Sequence, residues 1–466
     1  MDTPRSMAKL RRATKAAARI AGEPAPSDSP TVARRSFLGA SAVLAAGVAG
    51  VAAAAPAGAA PEPAGHGHPP GGHGLQTGLA RLVASGYAAL HGLKVGVLSN
   101  PTGITTSLDH EVDVMHASSK VDLVAVFGPE HGFRGTAQAG SSEGTSVDPR
   151  TGLTVYDLYA KTWQSMVDTF DTAGIDTMVF DIQDIGARFY TYIWTMYDAM
   201  TACAASGRKF FVLDRPNPIG GERVSGHTLK VELETGIGKA PIAQQHGMTA
   251  GELARLFATE FVPDRSGGHQ LDLTVIPMKG WRRDQQGGDT GLKWVAPSPN
   301  IPTVSSAQVY VGTCYFEGTN LSQGRGTTQP FELIGAPYVD EQWTAALRAA
   351  RLPGAEFRET AFVPTSAAYV GEVCRGVQTY VTDPGRFDPV RTAVTMLVAL
   401  RKLYPDFAWR YDTGDSIDPY WIDKLSGSDA VRTGVDAGKS ADQIVAGWQH
   451  DVAQFRAMRA RYLLYR

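Results

Sequence analysis

The 466-residue sequence predicts an α/β protein, a Rossmann-like parallel sheet domain followed by a smaller α+β domain. Three observations predict it. Four short runs are almost continuously apolar: 94–98 (KVGVL), 121–127 (VDLVAVF), 177–182 (TMVFDI) and 210–214 (FFVLD). Such runs fit strands covered on both faces, as in a parallel sheet. Amphipathic stretches follow the first three near 108–117, 162–173 and 194–205, the last ended by Gly207. Each apolar run then opens into a polar loop stiffened by Gly or Pro: SNPTG (99–103), GPEHGFRG (128–135), QDIGARFY (183–190) and RPNPIGG (215–221). In an open parallel sheet all four loops lie at the carboxyl edge, where ligands bind.

The chain ahead of this pattern reads as an address. Residues 1–30 are polar and basic, and Ala33-Arg34-Arg35-Ser36-Phe37-Leu38 leads into an Ala/Gly/Val-rich run. No charge occurs between Arg35 and Glu62, and Ala57-Gly58-Ala59 has the small-x-small form of a cleavage site. Residues 1–59 resemble a twin-arginine signal peptide, which implies a secreted, extracytoplasmic protein with no stable membrane insertion after cleavage. The Ala and Gly content contributes too little transfer energy for a good anchor. Residues 60–78 read as a flexible His/Pro/Gly-rich linker. His66, His68 and His73 there have metal-ligating chemistry, but the composition is that of a linker, and no metal or cofactor is expected. The expected domains are 79–303, Rossmann-like and catalytic, and 304–466, the smaller α+β domain contributing to the cleft.

In the second domain, 377–382 (VQTYVT) alternates like a strand and 391–404 reads as a helix stopped by Pro405. The segment 440–465 reads as one long helix, with Ser440 and Gln443 as a capping box and Ile444, Trp448, Val452, Phe455 and Tyr462 on its buried face.

Composition excludes several functions. Lys+Arg is 44 against Asp+Glu 46, a net charge of −2 with no basic block, so no nucleic-acid partner is expected. The three cysteines form no disulfide framework, and Cys203 falls on an apolar helical stripe as a core thiol. Neither G-x-G-x-x-G nor G-x-x-x-x-G-K-[ST] occurs, and the G-x-S-x-G spacing at 140–144 (GSSEG) does not directly follow an apolar strand run, as a nucleophile elbow would. Nucleotide chemistry and serine hydrolysis are thereby disfavoured.

Seven stretches resemble, in order, the exo-β-N-acetylmuramidase family of NamZ type: SNPTG (99–103), FGPEHGFRG (127–135), FDIQDIGARFYTY (180–192), LDRPNP (213–218), HGMTAGEL (246–253), PSPNIPT (297–303) and FEGTNLSQGRGTT (316–328). The likeness covers about residues 79–466. It implies hydrolytic release of terminal N-acetylmuramic acid from the non-reducing end of peptidoglycan fragments, with muramic acid-containing sugars as partners. The chain departs from that family at Ser225, where a glutamate is common, and at Gln245 and Gln329, where arginines are common.

Glycoside cleavage needs two carboxyl groups flanking the bond. Glu130 is the first choice for acid/base, set against a structural pairing with Arg134. Glu317 and Asp184 are candidates for the second carboxylate, Asp184 set against a pairing with Arg188. Asp214, Gln183, His131, His246, Asn100, Asn217, Asn300 and Asn320 are candidate partners for sugar hydroxyls. Arg134, Arg188, Arg215 and Arg325 are candidate partners for the lactyl carboxylate, or loop braces. Tyr190 is a candidate stacking surface. Two other functions fit the same residues less well: a non-catalytic muropeptide-binding protein, and a cell-wall esterase or amidase.

Overall fold

The computed structural model describes residues 74–466, apart from Ala139, Ser142 and 414–416. The signal segment 1–59, the first part of the linker and His66, His68 and His73 lie outside the described residues. The strands among the described residues are β1 (Lys94–Ser99), β2 (Asp122–Gly128), β3 (Ser146–Val147), β4 (Thr154–Asp157), β5 (Thr177–Asp181), β6 (Lys209–Leu213), β7 (Ser225–Thr228), β8 (Ala243–Gln245), β9 (Asp272–Ile276), β10 (Leu333–Ala336), β11 (Ala355–Phe362) and β12 (Cys374–Val381).

Seven of them form one sheet in the order β3-β4-β2-β1-β5-β6-β9. Every neighbouring pair is parallel except β3–β4. Without the edge strand β3, this is the doubly wound order, and the strand sequence reverses between β1 and β5. The four strands read from the sequence are β1, β2, β5 and β6. Their side chains alternate between two covered faces. Val95, Val97, Val126, Val179 and Phe211 pack with Leu79, Leu82, Val112 and Met115. Leu98, Phe127, Met178, Phe180 and Phe210 pack with Met166, Phe170, Met200, Leu253 and Phe257. Covering on both faces explains why these strands read as unbroken apolar runs.

Local chemistry fixes the helix ends. Thr162 caps the helix Trp163–Ala173 by accepting from Ser165 N–H, and Gly174 closes it in the left-handed region. Thr249 and Glu252 form a capping box on Ala250–Glu260. The stretch expected near 108–117 is helical only over Glu111–His116, because His110 caps it through its side chain and Leu108 has a φ of 70°.

The C-terminal part holds an antiparallel sheet, β10-β12-β11, and several helices. The helix Val304–Thr313 meets the helix Pro389–Leu403 so closely that a Cβ on Gly312 would stand 1.9 Å from the Pro389 carbonyl oxygen. One apolar cluster continues from the large sheet through to Trp343, Leu397 and Trp448. The single helix expected over 440–465 is instead two, Ala441–Ala446 and Gln449–Arg459. Gly447 lowers helix propensity at the break, where the Trp448 ring is 1% exposed. The five apolar positions named for its face are all buried.

Candidate active site

A cleft of about 440 Å3 opens where the loops after β2, β4 and β5 meet the C-terminal part. Glu130 and His131 enter it from the loop after β2, and Leu158 to Lys161 from the lip after β4. Phe189 to Thr195, Ser298, Asn300, Tyr310, Glu317, Arg325, Phe331 and Trp421 line the rest.

Both oxygens of the Glu130 carboxyl are held. Oε2 accepts from the Thr191 hydroxyl at 2.7 Å and Oε1 from Gly140 N–H at 3.1 Å. Arg134 does not pair with it. That guanidinium donates to Asp113 at 2.9 Å and Asp148 at 2.9 Å instead. His131 Nδ1 lies 3.1 Å from the Ala137 carbonyl, an obligate acceptor, so Nδ1 donates and Nε2 is the acceptor of the neutral ring. Glu317, from the C-terminal half, forms an ion pair with Arg325.

Three non-glycine residues in the cleft wall have left-handed backbones: His131 (φ 70°), Ala160 (φ 56°) and Phe331 (φ 66°). Such strain persists only where the surroundings hold it, and it concentrates at functional sites. The wall is aromatic. Tyr190 meets Tyr192 edge-on at 5.1 Å, and Tyr310 meets Phe331 at 4.6 Å. The Tyr190 hydroxyl is buried and interacts with the Ser298 side chain. Burial, helped by Tyr192, pushes its pKa well up, so it stays a neutral O–H. An apolar wall with a polar tip suits a sugar ring with hydroxyls at its rim.

The structure thus brings Glu130, His131, Tyr190, Asn300, Glu317 and Arg325 to one cleft and leaves the other sequence candidates out of its lining. Asp184 is 5% exposed. It accepts from Gly186 N–H at 2.8 Å and lies 3.3 Å from His246 Nε2, not on Arg188. Arg188 is fully buried and donates to the carbonyls of His227, Ile242 and Leu425, and desolvation pulls its pKa down to about 10. Asp214 accepts from Thr249 and Gly251, and burial pushes its carboxyl up to about 7. Asn217 donates to the Met248 carbonyl, Asn100 to that of Pro297 and Asn320 to that of Asp406. Gln183 and Arg215 line a separate hollow of about 150 Å3, with Arg215 held on Asp181. Among the described residues, no group of three or more His, Cys, Asp or Glu is placed to hold a metal.

Two family models cover nearly all of the described chain. The N-terminal model of exo-β-N-acetylmuramidase NamZ matches residues 95–305 and the C-terminal model residues 308–465. The chain belongs to this family. It is 43% identical over 392 residues to the peptidoglycan β-N-acetylmuramidase NamZ of Bacillus subtilis (strain 168), spanning 84% of this chain and 91% of that protein. Two crystal structures of DUF1343 family proteins from Bacteroides fragilis share the fold. One superimposes with a TM-score of 0.75 at 33% identity and the other with 0.65 at 30%. Each likeness covers 84% of this chain and 99% of the other.

Several lining residues escaped the sequence reading. Thr191 and Ser298 sit inside the quoted motifs, and a search for groups able to hold a carboxyl would have raised Thr191. Tyr159 and Lys161 follow β4, a strand of four residues with a single buried position, too short to register. Trp421 lies far along the chain in no motif, its ring contacted by Arg410 at 4.8 Å.

Proposed function

We infer that the chain is an exo-acting glycoside hydrolase that releases terminal N-acetylmuramic acid from the non-reducing end of peptidoglycan fragments. One observation carries the chemistry: two carboxyl groups from distant parts of the chain, Glu130 and Glu317, share one aromatic-walled cleft. Glycosidic bonds break through an oxocarbenium-like transition state. One carboxyl protonates the leaving oxygen while a second attacks the anomeric carbon or activates water. Glu130 is the acid/base. Thr191 and Gly140 aim its carboxyl, so little reorganisation is needed at the moment of transfer. Glu317 is the second carboxylate, with the permanently charged Arg325 beside it.

The test is turnover of a 4-nitrophenyl β-glycoside of N-acetylmuramic acid. Glu130→Gln should lower kcat on the order of 1000-fold and leave the melting temperature nearly unchanged. Full turnover by that variant removes Glu130 from the role. Sugar binding without turnover by the wild type would make the protein a muropeptide binder.

We also propose export through the twin-arginine route, on the strength of Arg34-Arg35 and the uncharged run behind them. Sequencing the mature N-terminus should place it after Ala59, and lysines at 34 and 35 should block processing. Among the described residues, no helix is long and apolar enough to cross a membrane.

A further inference from the structure

We propose that the Lys161 ammonium receives the lactyl carboxylate of the muramic acid ring and so selects that sugar over N-acetylglucosamine; the proposal rests on the glycosidase reading above. The argument starts from charge. The substrate's distinguishing group is an anion, and it enters a cleft already lined by Glu130, Asp198 and Glu317. An uncompensated fourth carboxylate would be repelled. Among the described residues, three lysine or arginine side chains line the cleft: Lys161, Lys239 and Arg325. Two are committed. Lys239 pairs with Asp198, which is 3% exposed and also holds Arg265 at 2.8 Å. Arg325 pairs with Glu317 and lies 5.0 Å from the centre of the Phe331 ring. Among the described residues, Lys161 has no ion-pair or side-chain hydrogen-bond partner, and it is half-buried.

Its position suits the task. Lys161 ends the lip between β4 and the helix Trp163–Ala173, at the carboxyl edge of the sheet. Leu158 N–H donates to the Gly128 carbonyl at 2.9 Å and Lys161 N–H to the Leu158 carbonyl at 3.3 Å. The lip is therefore tied to the end of β2, two residues ahead of Glu130. Glu130 also reaches it electrostatically: after burial, the charges of Glu130 and Asp157 raise the Tyr159 pKa. The left-handed Ala160 turns the chain directly before Lys161. A lactyl group swings on an ether bond, and an ammonium on a four-carbon stem can follow it, where a fixed guanidinium fork already engaged by Glu317 cannot.

The experiment compares wild type, Lys161→Ala and Lys161→Arg on three 4-nitrophenyl β-glycosides: N-acetylmuramic acid, its lactyl amide, and N-acetylglucosamine. Binding of the free sugars is measured by calorimetry in parallel. Lys161→Ala should raise KM for the muramic acid glycoside roughly 10- to 100-fold, with kcat within about threefold. It should leave both uncharged substrates unaffected, and Lys161→Arg should restore most of the loss. Added salt should raise the wild-type KM for the acid but not that of Lys161→Ala. Equal preference for acid over amide in wild type and Lys161→Ala overturns the assignment, as does a wild type that never distinguishes them. A wild type that binds the acid selectively through Lys161 but releases no nitrophenol keeps the assignment and refutes the glycosidase reading.

Discussion

Two groups of loops leave the same carboxyl edge of the sheet and meet different fates. Over β1, β5 and β6, where the strand order reverses, polar side chains are consumed by one another. Arg215 holds Asp181, Gln183 donates to the Asp184 and Pro216 carbonyls, and Asp214 collects donors from Thr249 and Gly251. Over β2 and β4, and at the far end of the β5 loop, the cleft stays open, and among the described residues the Lys161 ammonium has no protein partner. The difference teaches that motif density at a sheet edge marks bracing as readily as chemistry. What separates them is whether the polar groups are already satisfied.

That contrast can be broken by mutation. The largest effect on stability should come from Arg188→Ala, which leaves three carbonyls without their donor and empties a buried site. A loss of about 3–5 kcal/mol is expected in chemical denaturation. Low activity at unchanged stability would instead put Arg188 in the chemistry. A smaller effect is expected from Asp184→Asn: about 1 kcal/mol of stability, from the bond to Gly186 N–H, with kcat within roughly threefold of wild type. A kcat collapse like that of Glu130→Gln would return Asp184 to the catalytic pair.

The smallest effect concerns pH. Burial raises the Asp214 carboxyl to about 7, so the folded state keeps a proton that the unfolded chain releases near its ordinary value of about 3.9. Stability from this group is therefore fully present below about pH 4 and is lost as pH rises toward 7. Asp214→Asn should remove that component, and melting temperatures measured between pH 4.5 and 8 should show a shallower fall. An unchanged slope would mean that Asp214 titrates normally.

How much of this was legible varies with where each signal resides. β1, β2, β5 and β6 were legible because strands covered on both faces must be apolar throughout. β4 and β9 were not: they lie toward the sheet margins, where only Val155 among their residues is fully buried. Glu130, His131, Tyr190, Asn300, Glu317 and Arg325 were legible through their motifs. The arginines at 134, 188 and 215 looked equally suited to a ligand, yet each is spent inside the protein.

By itself the sequence determined the alternation of strands and helices, the carboxyl-edge loops and the family, because apolar runs, caps and turn residues act over a few positions. Tertiary structure decided which polar side chains face the cleft. Arg188 is a brace because the Leu425 carbonyl, 237 residues away, arrives beside it. Lys161 stays unpaired because, among the described residues, no carboxylate comes to meet it. A polar group's partner is chosen by contacts between distant segments, and local sequence carries no record of them.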